Sequence, residues 1–502
     1  MIMVWRSHHL ASQIVIAVLL SGCAVGPDFT SPSSPEVGSF LPAQRNSSTN
    51  PDRVPGQKLV HGGEIPPQWW EMLRSETLNR LVQEAIEHNA DLAAAEAAVR
   101  VARANAEAQR GSLFPTVDAT LDASRQKIAT APVVDANTGE QSTGPSRYSV
   151  VTRQVSVSFV PDVWGGKRRQ IESADAEVEA QAFQREGVYL TLASNVALAA
   201  IEEARLRGQI VAIRRVIELQ IELLHILQRQ YNAGQIGQSD VATQETAVAQ
   251  ARLSLPPLEL QLAKQQNLLA FLTGRLPNEA RLPAFRLATF QLPRVLPLSV
   301  PGNLVRQRPD IRTAEASLRR ANAEIGAAIA DRLPQITLSA NAGKTWSNVP
   351  DLSPAGAFWL VGGNVAQKVF DAGILANKQR AAEEATTQCL FQYRSVVMAA
   401  FQNVADVLKA LQTDARAIEA AAAAKSAALK NVDLLRRQLE QGQVNVSLLI
   451  EAQRAYLDTS LASVDAQASR FADTVALFQA LGGGWWNRPE IKEDRSSPPA
   501  RL

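Results

Sequence analysis

Cysteine is nearly absent: the 502 residues hold two, Cys23 and Cys389. That excludes a disulfide scaffold and any zinc site built from several thiolates. Histidine is scarce as well: His8, His9, His61, His88 and His225 form no HExxH pair. No phosphate loop or nucleophile elbow appears, so no catalytic constellation is legible. With four methionines and so few histidines, soft-metal relay sites are not evident either. Neither sign of charge dominates, with 51 Lys and Arg against 49 Asp and Glu. A nucleic-acid binder normally shows a basic excess, so that class is disfavoured. Beyond Cys23 no run reaches the roughly 18 apolar residues of a transmembrane helix. A chain of this kind spans a membrane only through strands closed into a barrel.

What the sequence has is alanine. Hydrophobic residues make up 46% but aromatics only 5%, a balance that suits long, closely packed helices. The length would ordinarily suggest about three domains. Charged residues at 20% argue against wholesale disorder. Arg6, His8 and His9 precede a short apolar run, Ile14 to Leu20, so residues 1–22 read as a secretory signal peptide. Leu20-Ser21-Gly22-Cys23 resembles the bacterial lipobox, in which Cys23 receives a diacylglycerol; an ordinary signal with a chance cysteine is the alternative. Ala24 rather than Asp then follows the lipidated residue, which points to the outer membrane.

Residues 23–65, with Pro27, Pro32, Pro35, Pro42, Pro51 and Pro55, read as a lipidated extended segment without a core of its own. The remainder is two copies of one plan, 66–290 and 291–486, with a flexible tail at 487–502. Gly111 to Val117 recurs as Ala330 to Ile336, 219 positions later (334 − 115). Phe159-Val160-Pro161-Asp162 recurs as Lys368-Val369-Phe370-Asp371, 209 later (371 − 162). Gly234 recurs as Gly442 and Gly274 as Gly482, both 208 later (442 − 234, 482 − 274). The spacing changes by about ten only between the two strands of each copy, where a hairpin loop varies freely.

Each copy reads helix, strand, loop, strand, long helix, turn, helix. From Trp164 to Tyr231 there is no proline and apolar residues recur at three and four, as in coiled coils. Asp162 and Asp371 stand where helix N-caps belong. Val117, Ala119, Leu121 and Ala123 alternate with polar residues. Val151, Val155, Val157 and Phe159 do the same, with Arg153 breaking the apolar set. Ile336, Leu338 and Ala340 give a third strand, and Trp359 to Phe370 a weak fourth. Such alternation fits a membrane barrel or a soluble sheet with one wet face. Four strands cannot close a barrel, so a barrel requires oligomerisation, and three chains would supply twelve strands.

Several motifs in order resemble the outer membrane factors of tripartite efflux systems, the TolC-like channels, in their NodT-type lipoprotein branch. They are Cys23 to Phe29, Trp69-Trp70, Asn89-Ala90-Asp91-Leu92, Arg308-Pro309-Asp310-Ile311-Arg312, Ala321 to Gly326, and Leu481-Gly482-Gly483-Gly484-Trp485. Lys368, where a proline is usual, and Pro161 depart from the pattern at the strand-to-helix joints. The resemblance implies a mainly α fold with a membrane β portion. Long coiled-coil helices would form a periplasmic α-barrel, and four strands per chain a trimeric twelve-stranded β-barrel. It implies a homotrimer fed by a periplasmic adaptor and an inner-membrane RND-type pump. The channel would be passive, a duct for small compounds with no cofactor beyond the lipid on Cys23 and no enzyme activity. A duct for secreted polypeptides, a metal-ion duct and a pore-free periplasmic scaffold are the competing readings.

Two sets of residues carry the expected work. Glu451, Asp458 and Asp465 recur every seven residues, along one helix stripe. The resemblance places an acidic gate residue at Glu451, with Arg454 a possible partner; Glu451, Arg454 and Asp458 are the candidate gate. A carboxylate ring in a narrow pore favours cations, although a solvated coiled-coil face would look the same. The turns Gly234 to Ser239, with Asp240, and Gly442 to Ser447 are the expected hairpin tips, where the resemblance places adaptor docking. Gly482-Gly483-Gly484 lacks the Lys-Ser/Thr of a phosphate cradle and reads as a helix stop. Cys389 reads as a small core residue in a helix.

Overall fold

The computed structural model describes residues 24–35, 39–40, 53–54, 57–127, 133–134, 141–142, 147–279, 281–347 and 355–488. The expected signal peptide, Cys23 and residues 489–502 of the expected tail lie outside them. The strands are β1 (Arg53–Val54), β2 (Gln57–His61), β3 (Thr116–Lys127), β4 (Val133–Val134), β5 (Gln141–Ser142), β6 (Arg147–Phe159), β7 (Val295–Leu298), β8 (Gln335–Ser347) and β9 (Ala355–Ala366). The helices are α1 (Glu76–His88), α2 (Ala90–Gly111), α3 (Gly166–Asn232), α4 (Gln238–Leu253), α5 (Leu255–Leu272), α6 (Pro301–Gln307), α7 (Pro309–Ala330), α8 (Ile374–Glu440) and α9 (Val446–Ala480). No described helix is long and apolar enough to cross a membrane.

The repeat is visible in the helices. α3 and α8 are 67 residues each and start 208 positions apart (374 − 166). The return helices differ. In the first copy Pro256 and Pro257 follow Ser254, so the return is split into α4 and α5. Proline there removes N–H donors and clashes with the carbonyl one turn back. α9 has no proline and runs unbroken for 35 residues.

The chain divides into two compact units, the first made of residues 1–31, 100–179 and 315–391. Its sheet is fully antiparallel in the order β3-β6-β8-β9, leaving β3 and β9 as edges. The register is unbroken, so side chains sort by period two onto two faces. One face carries the rows Val117, Val157, Ala340, Val361 and Ala119, Val155, Ala342, Trp359. The other carries Asp118, Ser156, Asn341, Leu360 and Thr120, Gln154, Gly343, Phe358. Leu121 at 72% and Trp359 at 78% exposure leave the first face a bare apolar surface.

At the strand-to-helix joints, Asp162 and Asp371 cap as expected but from ahead of the helices, across the left-handed Gly165 and Gly373. Asp162 accepts from Lys167 N–H (2.9 Å) and Arg168 N–H (3.0 Å), Asp371 from Gly373 and Leu375 N–H (both 2.9 Å). The Leu375 N–H, with that of Gly373, holds the Asp371 carboxyl below the usual range.

The second unit comprises residues 32–99, 180–314 and 392–502. Its core gathers Trp69 stacked on Phe478 (centroids 5.4 Å apart), with Ile65, Leu73, Leu78, Leu296 and Leu477. Described residues of the 23–65 segment, expected to lack a core of its own, contribute to this one. β2 pairs in parallel with β7, and Leu59 and Ile65 are buried. That pairing joins strands far apart in sequence, each too short for its own alternation to register.

Candidate functional site

The two expected hairpin tips are built alike in the second unit. After α3, Gly234 (φ 74°) donates to Tyr231 O at 2.9 Å and Gln235 to Gln230 O at 2.9 Å. After α8, Gly442 (φ 70°) donates to Leu439 O at 3.0 Å and Gln443 to Gln438 O at 2.9 Å. Both are Schellman closures, which place glycine in the left-handed position. The turns are shorter than the sequence suggested. Ser239 and Asp240 lie in the first turn of α4, and Ser447 in the first turn of α9. Asn445 caps α9 by accepting from Leu448 N–H at 3.1 Å. Gly234, Ser239, Gly442 and Ser447 are exposed and Asp240 is half-buried. Ile236 and Val241 from one tip and Val446 and Leu449 from the other pack on a single cluster with Leu223, Leu227 and Val432. Hydrophobic packing thus seats both tips side by side.

The expected acidic stripe divides. Val446, Leu449, Ala452 and Gln453 form the buried face of α9, which leaves Glu451, Arg454 and Asp458 on its exposed face. Among the described residues none of the three has an ion-pair partner within the chain. Asp465 does not belong with them. It accepts from Arg205 Nη1 at 2.9 Å and Gln209 Nε2 at 2.6 Å, tying α9 to α3. The bond of Arg205 to Glu202 first, and then that to Asp465, hold the Arg205 guanidinium above its usual value, against burial. Nearer the tips, Arg436 Nη2 of α8 donates to Glu222 Oε1 of α3 at 2.6 Å. Beside this pair a cavity of about 130 Å³ is lined by Leu219, Leu223, Leu449, Gln453 and Tyr456. Cys389 is half-buried in α8 rather than set in a core, and burial pushes its thiol up.

A further pair was missed because its members lie far apart in sequence. Asp414 of α8 and Asp473 of α9 stand opposite one another in the α8–α9 hairpin and share a hydrogen bond. Arg470, 2% exposed, donates from Nη1 to Leu411 O beside them. Burial first, and then Asp473, push the Asp414 carboxyl up to about 7, against the pull of Arg470.

The motif residues have structural work. In the first unit Arg169, 5% exposed, donates to Val25 O (3.1 Å), Gly26 O (3.2 Å) and Asp28 Oδ1 (2.8 Å). Asn322 donates to Pro27 O at 2.9 Å, and a side chain at Gly26 would collide with Gly326. Val25 to Asp28 of the first motif and the Ala321–Gly326 motif therefore meet. In the second unit the three glycines after Leu481 are all left-handed, and Trp485 Nε1 donates to Gln307 O at 2.7 Å.

The outer membrane efflux protein family profile matches residues 81–275 and 300–483. The chain belongs to the outer membrane efflux protein family. Among curated relatives, the pyoverdine export outer membrane protein OpmQ of Pseudomonas putida is 30% identical over 465 residues, covering 91% of this chain and 94% of the relative. The toluene efflux pump outer membrane protein TtgC of Pseudomonas putida is 28% identical over 481 residues, 95% of this chain and 96% of the relative. Among solved structures, the outer-membrane channel OprN superposes with a TM-score of 0.80 at 24% identity, over 92% of this chain and all of that one. The Campylobacter jejuni CmeC outer membrane channel gives 0.80 at 20% identity, over 94% and 98%. The mainly α fold with a β portion is that of these outer membrane efflux proteins. As a member of that family, the protein is an outer membrane efflux protein.

Proposed function

We propose that the protein is the passive exit duct of a tripartite pump, closed by three copies of the chain. The carrying observation is the four-stranded sheet with an exposed apolar face and two unpaired edges, β3 and β9. Open edges in lipid leave backbone groups without partners, so the strands must join those of other chains. Three copies would bring twelve strands around a polar lumen, an even number in the known range. Cys23 would carry the lipid that anchors each copy in the outer membrane of a Gram-negative cell. The exposed tips at Gly234, Ser239, Asp240, Gly442 and Ser447 would receive the periplasmic adaptor, and an RND-type inner-membrane pump would supply the energy. The cargo would be small compounds such as the solvents named for relatives. Pore work needs no nucleophile, and no enzyme activity is proposed.

The test is purification of the full chain in detergent, its mass by light scattering, and its conductance in planar bilayers. A trimer with steady conductance is expected. A monomer without conductance would overturn the reading.

A further inference from the structure

Charge on the four-stranded sheet is sorted by face. β3 places Val117, Ala119, Leu121, Ala123, Arg125 and Lys127 on one side, since alternate residues share a face. The register carries that side across the sheet: Leu121 lies beside Arg153, Arg153 beside Lys344, and Lys127 beside Arg147. The apolar face thus bears five cations, Arg125, Lys127, Arg147, Arg153 and Lys344, and no carboxylate in these strands. The opposite face holds Asp118 and Asp122 and no cation. All five cations are exposed, and among the described residues none has an ion-pair partner.

They are also sorted along the strands. The rows nearest the helices, from Ile336 and Val365 to Ala342 and Trp359, are uncharged on this face. The cations begin at the Arg153–Lys344 row and continue towards the β3–β6 and β8–β9 hairpins, with Trp346 in the next row. From Ile336 to Lys344 is eight residues (344 − 336), about 26 Å along a strand and about 20 Å across a bilayer at the usual tilt. An apolar band of a membrane barrel is roughly 25 Å tall, so the first cations stand at its far margin. Two like charges directly side by side, as Arg153 and Lys344 are, repel unless an anion sits over them.

We infer that Arg153 and Lys344, backed by Arg125, Lys127 and Arg147, hold the phosphate groups of outer-leaflet lipid A against the barrel wall. The cations lie at the hairpin end of the sheet, the end away from the helices, which is the outer leaflet if the helices stand in the periplasm. Arginine and lysine stems lie along apolar surface while their heads reach headgroup level, and arginine takes phosphate through two parallel hydrogen bonds. The inference rests on the proposal that this sheet crosses the outer membrane.

The probe is fluorescent bisphosphorylated lipid A in mixed micelles with the full chain, wild type against an R153Q/K344Q double variant. The double variant should bind about tenfold more weakly. The lumen-facing variant Asp122→Asn should bind as wild type. Lipid A stripped of phosphate should bind wild type and double variant equally weakly, and millimolar inorganic phosphate should not compete. Equal binding of phosphorylated lipid A by wild type and double variant overturns the inference, as does wild-type preference for phosphatidylglycerol. Competition by inorganic phosphate overturns it too, reducing the site to an anion site. Bilayer conductance of the same preparations separates the two readings. Loss of conductance in the wild type would mean that the channel reading fails. Intact conductance without phosphate-dependent binding would mean that only the lipid reading does.

Discussion

Arg308 donates from Nη1 to the carbonyl of Ala480 at 2.8 Å, closing the last turn of α9 against the start of α7. Asn89 does the same in the first copy, donating from Nδ2 to Leu272 O at 3.1 Å. Asn89 precedes Arg308 by 219 positions (308 − 89) and Leu272 precedes Ala480 by 208 (480 − 272), the first and last offsets of the repeat. Different side chains thus satisfy the same helix-end carbonyl, which lacks an intrahelical partner.

Replacing either donor should leave that carbonyl buried and unpaired, at a cost of about 1–3 kcal/mol. Asn89→Ala also removes the cap to Asp91 and Leu92 N–H and should sit at the upper end. Urea unfolding of Arg308→Ala and Asn89→Ala checks this. Midpoints equal to wild type would refute it.

Gly482 and Gly442 should respond differently to alanine. Both are left-handed, but a Cβ on Gly482 would sit 2.6 Å from Gln307 O, whereas at Gly442 it meets open space. Gly442→Ala should cost about 1 kcal/mol of backbone strain, and Gly482→Ala several times that or loss of assembly. Thermal unfolding of the two variants side by side decides the matter.

The Asp414–Asp473 pair gives stability a pH dependence with a definite sign. The folded Asp414 value of about 7 lies above that of an unfolded aspartate, about 3.9. The native state therefore binds more protons, and stability falls as pH climbs from about 4 through 7, then levels. Between about pH 5 and 8 the wild-type Tm should drop, while Asp414→Asn should flatten this part of the profile. Parallel profiles would remove the pair as the cause.

Glu451 carries the gating proposal. Three copies of an unpartnered, exposed carboxylate at a narrow mouth would form a ring favouring cations. Glu451→Ala should raise single-channel conductance and weaken cation preference in planar bilayers. Asp465→Ala should instead lower stability, because Asp465 is bound to Arg205 and Gln209. Unchanged conductance in Glu451→Ala would end the gating role.

The exposed tip makes a separate prediction. A cysteine at Ser239, in the first turn of α4, should cross-link to the adaptor in assembled pumps. No product from an active assembly would exclude docking there.

Much of the fold was legible because it is local or repeated. Gly234 and Gly442, the alternation from Val117, and the proline-free stretches of α3 and α8 each declare themselves within a few turns of chain. What escaped depends on partners far away in sequence. Asp465 shares the spacing of Glu451 and Asp458, and only Arg205 on another helix removes it from their company. The β2–β7 pairing joins strands of five and four residues, too short for any period to register. Asp414 and Asp473 look like ordinary solvated acids until the hairpin folds them together. Arg153 was legible only as a break in pattern, and its neighbour Lys344 gave that break a meaning.

The equal length of α3 and α8 has an evolutionary corollary. A residue inserted into one rotates everything beyond it by about 100 degrees. The shared cluster of Leu223, Leu227 and Val432 would then lose its seat unless the other helix changed in step. Descendants of this chain should therefore vary freely at the strand loops while their two long rods gain or lose residues only as a matched pair.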